Sequence, residues 1–226
     1  MKISKETIDV LRNYSTIQPN LVFKGGNKVS TIAEAKNIMA TTEVAEEFPS
    51  NIGIYDLNEF LSALSLIEDP EFDFGEDSVK VSSSIEGSSL TYRYADVDML
   101  TTSDRDINMP TSDVEVLLTA EDISQLRKAG GALGHTIAAI VSHEGENDIY
   151  LEVKDPSNPS ANVYSRHLGE NDGGSNFDFQ FLISNLKLTP DDYSVSISSK
   201  LISHWKPCNL KSEYWIALEK DSNYSA

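Results

Sequence analysis

The strongest constraint in this sequence is that its two halves repeat one order of elements: a helix, a hairpin, a strand running into a second helix, then further strands. In the first half Ser4 stands as an N-cap before Ile8, Leu11 and Tyr14, an apolar stripe at helical spacing. In the second, Thr119 with Asp122 three residues on reads as a capping box with Asp in the usual Glu place, and Ile123, Leu126 and Ala129 follow. Each helix gives way to a hairpin: NLVF, the turn KGGNK and VSTIA in one half; TIAAIVS, the turn HEGEN and DIYLEV in the other. Farther on, NIGIYDLNEFLSALSLI predicts a short strand and then a helix carrying Leu57, Phe60, Leu61 and Leu64. Its counterpart NFDFQFLISNLKLT places Phe177 and Phe179 before a helix with Phe181, Leu182 and Leu186. SVKVSSS and YSVSISS then alternate with period two, and LTYRYADVDML and EYWIALEK close the two copies. The register drifts between copies, by 115 residues from Leu11 to Leu126 and 125 from Ile54 to Phe179.

Charge follows the same division. The 226 residues hold 18 Lys+Arg against 36 Asp+Glu, a net −18. Nine basic residues fall on each side of Pro110, with 19 acidic before it and 17 after, so the halves carry −10 and −8. The polar, aperiodic stretch TTSDRDINMPTSD, residues 101–113, reads as the connection. Such acidity argues against a simple basic nucleic-acid binder, because phosphates are neutralised by clustered Lys and Arg, but a local basic surface fits within an acidic average. No apolar run approaches the ~18 residues of a membrane span, and the N-terminus lacks the apolar core of a signal peptide. The one cysteine, Cys208, excludes an internal disulfide and fits a reducing compartment; beside a proline, with no helix start to lower its pKa, it reads as a buried or inert thiol.

Catalytic and cofactor signatures are missing. There is no GxxxxGK[ST] loop, no GxGxxG between strand and helix, no HExxH, no paired-cysteine zinc motif and no GxSxG elbow. AGGALGHT reads as a helix stop and turn. The acidic segment EDPEFDFGED fails as a calcium loop, since a loop from Asp69 would need glycine where Phe74 stands and glutamate where Lys80 stands. It reads as a solvated turn, and a metal-dependent nuclease built on Asp69, Asp73 and Asp77 is the weakest alternative. No catalytic residue, metal site or cofactor is assigned.

The opening MKISKETIDVLRNYSTI, the segments IGIYDLNEFLSALSLI and LGENDGGSNFDFQFLISNLKLTPDDY, and the ending YWIALEKDS together resemble the DNA polymerase sliding clamp, the processivity factor of T-even-type tailed bacteriophages. The resemblance is collinear over nearly the whole chain. It implies an α+β protein with two similar sliding-clamp domains, 1–105 and 114–226, joined by a linker at 106–113. Three identical subunits would form a ring, with helices lining a pore and antiparallel sheets outside. Such a homotrimer encircles duplex DNA without reading sequence, tethers the replicative polymerase without catalysis, is loaded by an ATP-dependent clamp loader, contacts the late transcription machinery, and works in the cytoplasm of the infected bacterial host. The alternative is a non-ring phage protein–protein interaction module with the same duplicated fold.

Site residues follow from joining resemblance to pattern. Lys5 and Arg12 are seven apart and share a helix face opposite Ile8 and Leu11, with Asp9 diluting their field. Lys2 precedes that helix, Arg127 and Lys128 lie on the matching helix, and Lys187 ends the expected second helix of the second half. These six are expected to face the pore, while the helix after Asp56 brings no basic residue. The resemblance puts a partner pocket where the linker residues Ile107, Met109 and Pro110 meet the strand residues Trp215, Ile216 and Ala217. Subunit contacts are expected between Tyr92 and Tyr94 on one edge strand and Val163 and Ser165 on another.

Overall fold

The computed structural model describes residues 1–85, 87–102 and 107–225. The chain divides into two compact units, Met1–Asp106 and Ile107–Ala226. Residues 103–106 of the expected linker lie outside the described residues. Within the second unit the end of that linker is bonded: Asp113 N–H donates to the Ile197 carbonyl at 2.8 Å, and the Thr111 carbonyl accepts from Ser198 Oγ at 2.9 Å.

The first unit starts with α1 (Lys5–Ile17), whose cap is the one expected: Ser4 Oγ accepts from Thr7 N–H. Leu11, Tyr14 and Ile17 point inward from it and are buried. Strands β1 (Leu21–Ile32) and β2 (Ile38–Ile54) follow as one long antiparallel hairpin, paired from Leu21↔Ile54 to Ile32↔Met39. This corrects the expected hairpin. KGGNK does not turn the chain; it forms a bulge inside β1, and the reversal comes after Ile32. Gly25 and Gly26 take φ of +91° and +79°, a conformation that serves a bulge as well as a turn. Phe23 stacking on Phe48 at 4.2 Å is the cross-strand contact beside the bulge.

Helix α2 (Leu57–Leu64) follows, with Asp56 capping both Asn58 and Glu59 N–H and with Leu57, Phe60 and Leu64 buried. The acidic segment expected to be a solvated turn instead contributes a strand, β3 (Pro70–Phe74), because Phe72 is buried while its acidic neighbours alternate outward. Strands β3, β4 (Ser78–Ser83) and β5 (Ser89–Arg93) form a three-stranded sheet with β5 at one edge.

In the second unit β6 (Val114–Leu118) leads into α3 (Ala120–Leu133), and the capping box of Thr119 and Asp122 is present. Gly130 lies inside the helix, where an added Cβ would stand 2.7 Å from Ile183 Cδ1. Residues 129–133 of AGGALGHT are therefore the last turn of the helix, and Gly134 is the left-handed stop after it. Strands β7 (Ile137–Ser142), β8 (Asp148–Lys154), β9 (Tyr164–Glu170), β10 (Asn176–Leu182), β11 (Tyr193–Ser198), β12 (Ile202–Pro207), β13 (Glu213–Ala217) and β14 (Asn223–Ser225) complete the unit. One sheet runs β14-β10-β7-β8-β9, with β9 at its edge. In the other, β12 pairs with both β11 and β13, and β11 pairs with β6. Phe181 meets Trp205 edge-on at 5.7 Å, tying β10 to β12 through the core.

The second helix expected here is a correction. FLISNLK forms only a 3-10 turn at Ile183–Asn185. No side chain caps its start, and Ile183, Ser184 and Asn185 are weaker helix formers than the LNEFLSAL of α2. Cys208, expected buried or inert, is exposed.

Candidate nucleic-acid interface

The six expected basic residues occupy three kinds of setting. Lys2 reaches β3: its Nζ lies 2.6 Å from Asp69 Oδ2 and 4.0 Å from Glu71 Oε1. The bonds from Lys2 and from Ser84 hold the Asp69 carboxyl below the usual range, and the same bond to Asp69 raises Lys2. Arg12 bonds Asp9 one turn back at 3.0 Å, so the dilution expected from Asp9 is a direct ion pair. Lys5 and Lys128 are exposed, with no carboxylate in ion-pair range among the described residues.

Arg127 is anchored instead of free. Its Nη2 donates to the Leu186 carbonyl at 2.5 Å, satisfying an acceptor where the 3-10 turn ends. Burial lowers its pKa, yet an arginine keeps its charge at neutral pH. The contact brings Arg127, Lys128 and Lys187 to one junction, although Lys187 follows a 3-10 turn and not a helix. Helix α2 presents Glu59 and no basic residue, as expected.

The four residues expected at subunit contacts lie on edge strands or beside them, but not all point outward. Val163 is 53% exposed and Ser165 is exposed. Tyr92 turns toward its own helix, with its hydroxyl donating to the Asp56 carbonyl at 3.3 Å and its ring edge-on to Phe60 at 4.9 Å. The Tyr94 hydroxyl is buried with no hydrogen-bond partner among the described residues, and burial raises its pKa. On β5 the exposed side chains are Ser89, Thr91 and Arg93. Strand alternation explains both: the tyrosines occupy the inward parity, which sequence alone left unassigned.

The same alternation divides the expected pocket residues. Trp215 and Ala217 share a face of β13, whereas Ile216 is fully buried on the other. Trp215 stacks on His204, its partner across β12, with centroids 4.7 Å apart, and His204 Nε2 bonds Glu213 at 2.9 Å. Sequence reasoning missed His204; the period-two run ISHWKP places it on the Trp215 face only once the strand pairing is known. Ile107, Met109 and Pro110 are half-exposed.

Two α+β units built from a helix over antiparallel sheets define the class: a two-domain clamp fold. Two solved clamps share it. One, described as the C-terminal region of FEN-1 bound to A. fulgidus PCNA, superposes with a TM-score of 0.71 at 13% identity over 98% of each chain. The other, proliferating cellular nuclear antigen from Entamoeba histolytica, gives 0.64 at 16% identity over 94% of each. Two family models match in tandem, "DNA polymerase processivity factor" over residues 4–99 and "gp45 sliding clamp, C terminal" over residues 115–220. The sliding clamp of Vibrio phage KVP40 is 33% identical over 97% of this chain and 99% of its own length, and that of Enterobacteria phage T4 is 29% identical over 99% of each. The chain belongs to the phage sliding-clamp family. Its work is that of a DNA polymerase processivity factor, a ring-type clamp that tethers and does not catalyse. Among the described residues, no helix is long and apolar enough to cross a membrane.

Proposed function

We propose that three copies of this chain close into a ring around duplex DNA by pairing edge strand β5 of one copy with edge strand β9 of the next. The observation that carries this reading is that each unit exposes a sheet edge, β5 in the first and β9 in the second, with Val163 and Ser165 exposed at the latter. Closing a ring by strand pairing removes both edges, which otherwise invite aggregation. Tyr92 and Tyr94 contribute by shaping the β5 backbone from within. Lys2, Lys5, Arg12, Arg127, Lys128 and Lys187 meet phosphates loosely, with Lys5 and Lys128 the most available. With −18 per chain on the whole ring, weak contact inside and repulsion outside favour sliding over static binding. That same charge calls for an ATP-dependent loader. Polymerase and loader peptides dock against the second unit at Ile107, Met109, Pro110, Trp215 and Ala217, with His204 backing the indole and Ile216 supporting from the core. The late transcription machinery shares that surface, and the setting is the host cytoplasm.

Light scattering coupled to size exclusion over a range of concentrations tests the reading. Three chains of 24.9 kDa give about 75 kDa. A mass of one chain at high concentration would remove the ring and leave an interaction module.

A further inference from the structure

Helix α3 is held at both ends by the segment that carries edge strand β9. At its N-terminal end the Arg166 guanidinium, on β9, pairs with Asp122 through Nε and Oδ1. Asp122 is 4% exposed, and its other oxygen closes the capping box with the Thr119 N–H at 2.8 Å and hydroxyl at 2.6 Å. At the C-terminal end His135, next to the Gly134 cap, bonds the Asn162 carbonyl at 2.8 Å, two residues before β9 begins. A ring nitrogen facing a carbonyl oxygen must carry the proton, so His135 Nε2 is the donor. Between these ties α3 carries Arg127 and Lys128.

We propose that Arg166 and His135 are positioning residues that couple the subunit-contact edge to the DNA-facing helix, so that a second copy pairing onto β9 also fixes Arg127 and Lys128 in place. This rests on the ring reading above. The backbone bonds of β9 run sideways to β8, which packs on α3, but from the edge segment itself the direct reach to the ends of α3 is made by Arg166 and His135. An edge strand unpaired on one side opens locally more readily than a central one. Pairing suppresses that opening, and the two ties pass the order to α3. The Arg166 tie is costly to break because it would leave Asp122 Oδ1 buried and the carboxylate without a counter-charge. The first unit makes a different connection: Tyr92 on β5 reaches the start of α2, a helix without basic residues.

Hydrogen exchange read by mass spectrometry, on the full chain at concentrations above and below assembly with light-scattering mass on the same samples, tests the coupling. In the natural protein, amides of β9 and α3 are expected to gain protection together on assembly. In Asp122→Asn/Arg166→Gln, which removes the ion pair without stranding a charge, combined with His135→Phe, β9 should still gain protection while α3 no longer responds. Retention on circular DNA should then fall at unchanged mass. Coupled protection persisting in that variant, or an α3 indifferent to assembly in the natural protein, would overturn the proposal. The second result needs no variant, and His135→Phe alone, at a half-exposed position, provides a milder one that should weaken the response. A ring-sized mass with an unresponsive α3 defeats the coupling alone; a single-chain mass throughout defeats the ring reading and the coupling with it.

Discussion

The two units repeat one plan, yet they differ where the plan is least constrained locally. The first places a long hairpin, β1 with β2, between its helices; the second places four strands, β7 to β10, there. The first has a true second helix and the second only a 3-10 turn. Helices α1 and α3 show the reverse. Both begin at a side-chain cap and bury one stripe, and both carry the candidate phosphate contacts. Where a cap and a stripe are present, a helix forms in both units. Where Leu182 stands at the start without a capping side chain, in contrast to Asp56 of α2, the chain makes a 3-10 turn that Arg127 completes by bonding Leu186. The two copies thus hold similar charge by different means: paired carboxylates around α1, a backbone anchor beside α3.

That likeness of α1 and α3 can be broken most strongly in the core. Leu11→Ala and Leu126→Ala each empty a site at or below 1% exposure and should cost roughly 2–5 kcal/mol in denaturant unfolding. A loss under about 1 kcal/mol in one of them would show that its helix is not packed as its counterpart is. Next comes the contrast of α2 with the 3-10 turn. Asp56→Ala removes the cap for Asn58 and Glu59 and should destabilise by about 1 kcal/mol, with loss of helical circular dichroism. No change would mean that the cap does not explain why only the first copy has this helix.

The charge comparison is read on DNA. Lys5→Ala and Lys128→Ala should each flatten the salt dependence of retention on circular DNA by up to about one unit of slope per copy, about three for the ring. Arg12→Ala should do less, because Asp9 already neutralises it, and Asp9→Asn should improve retention. Equal effects from Lys5 and Arg12 would refute the distinction between free and paired residues.

The smallest effect is pH-dependent and separates the helix starts. Burial alone would raise the Glu46 pKa, but bonds from the Thr7 hydroxyl at 2.6 Å and Ser4 N–H at 2.5 Å more than offset this, so it stands below 4.5. A carboxyl lowered by folding stabilises the native state above its unfolded pKa and loses that contribution as pH falls through the folded value. Natural protein should therefore lose stability below about pH 4.5 faster than Glu46→Gln. Parallel acid curves would show that Glu46 does not secure α1.

Much of this was legible in the residues. The duplication, α1 with Ser4, α3 with its capping box, α2 after Asp56, and the period-two strands rest on contacts within a few residues, and so could be read from spacing. Relatedness to the phage clamps was equally open, because the resemblance carried by segments such as IYDLNEFL runs over nearly the full length. Tertiary structure alone decided that Gly25 and Gly26 bulge a strand instead of turning it. It also decided that Phe72 draws an acidic segment into a sheet, that Tyr92 faces Phe60, and that Ile216 lies opposite Trp215. These depend on partners on other strands: Phe48 for the bulge, Val81 for Phe72, His204 for Trp215. A strand's neighbours and the face that each side chain takes are set by long-range pairing, and local sequence supplies the alternation without saying which side is in.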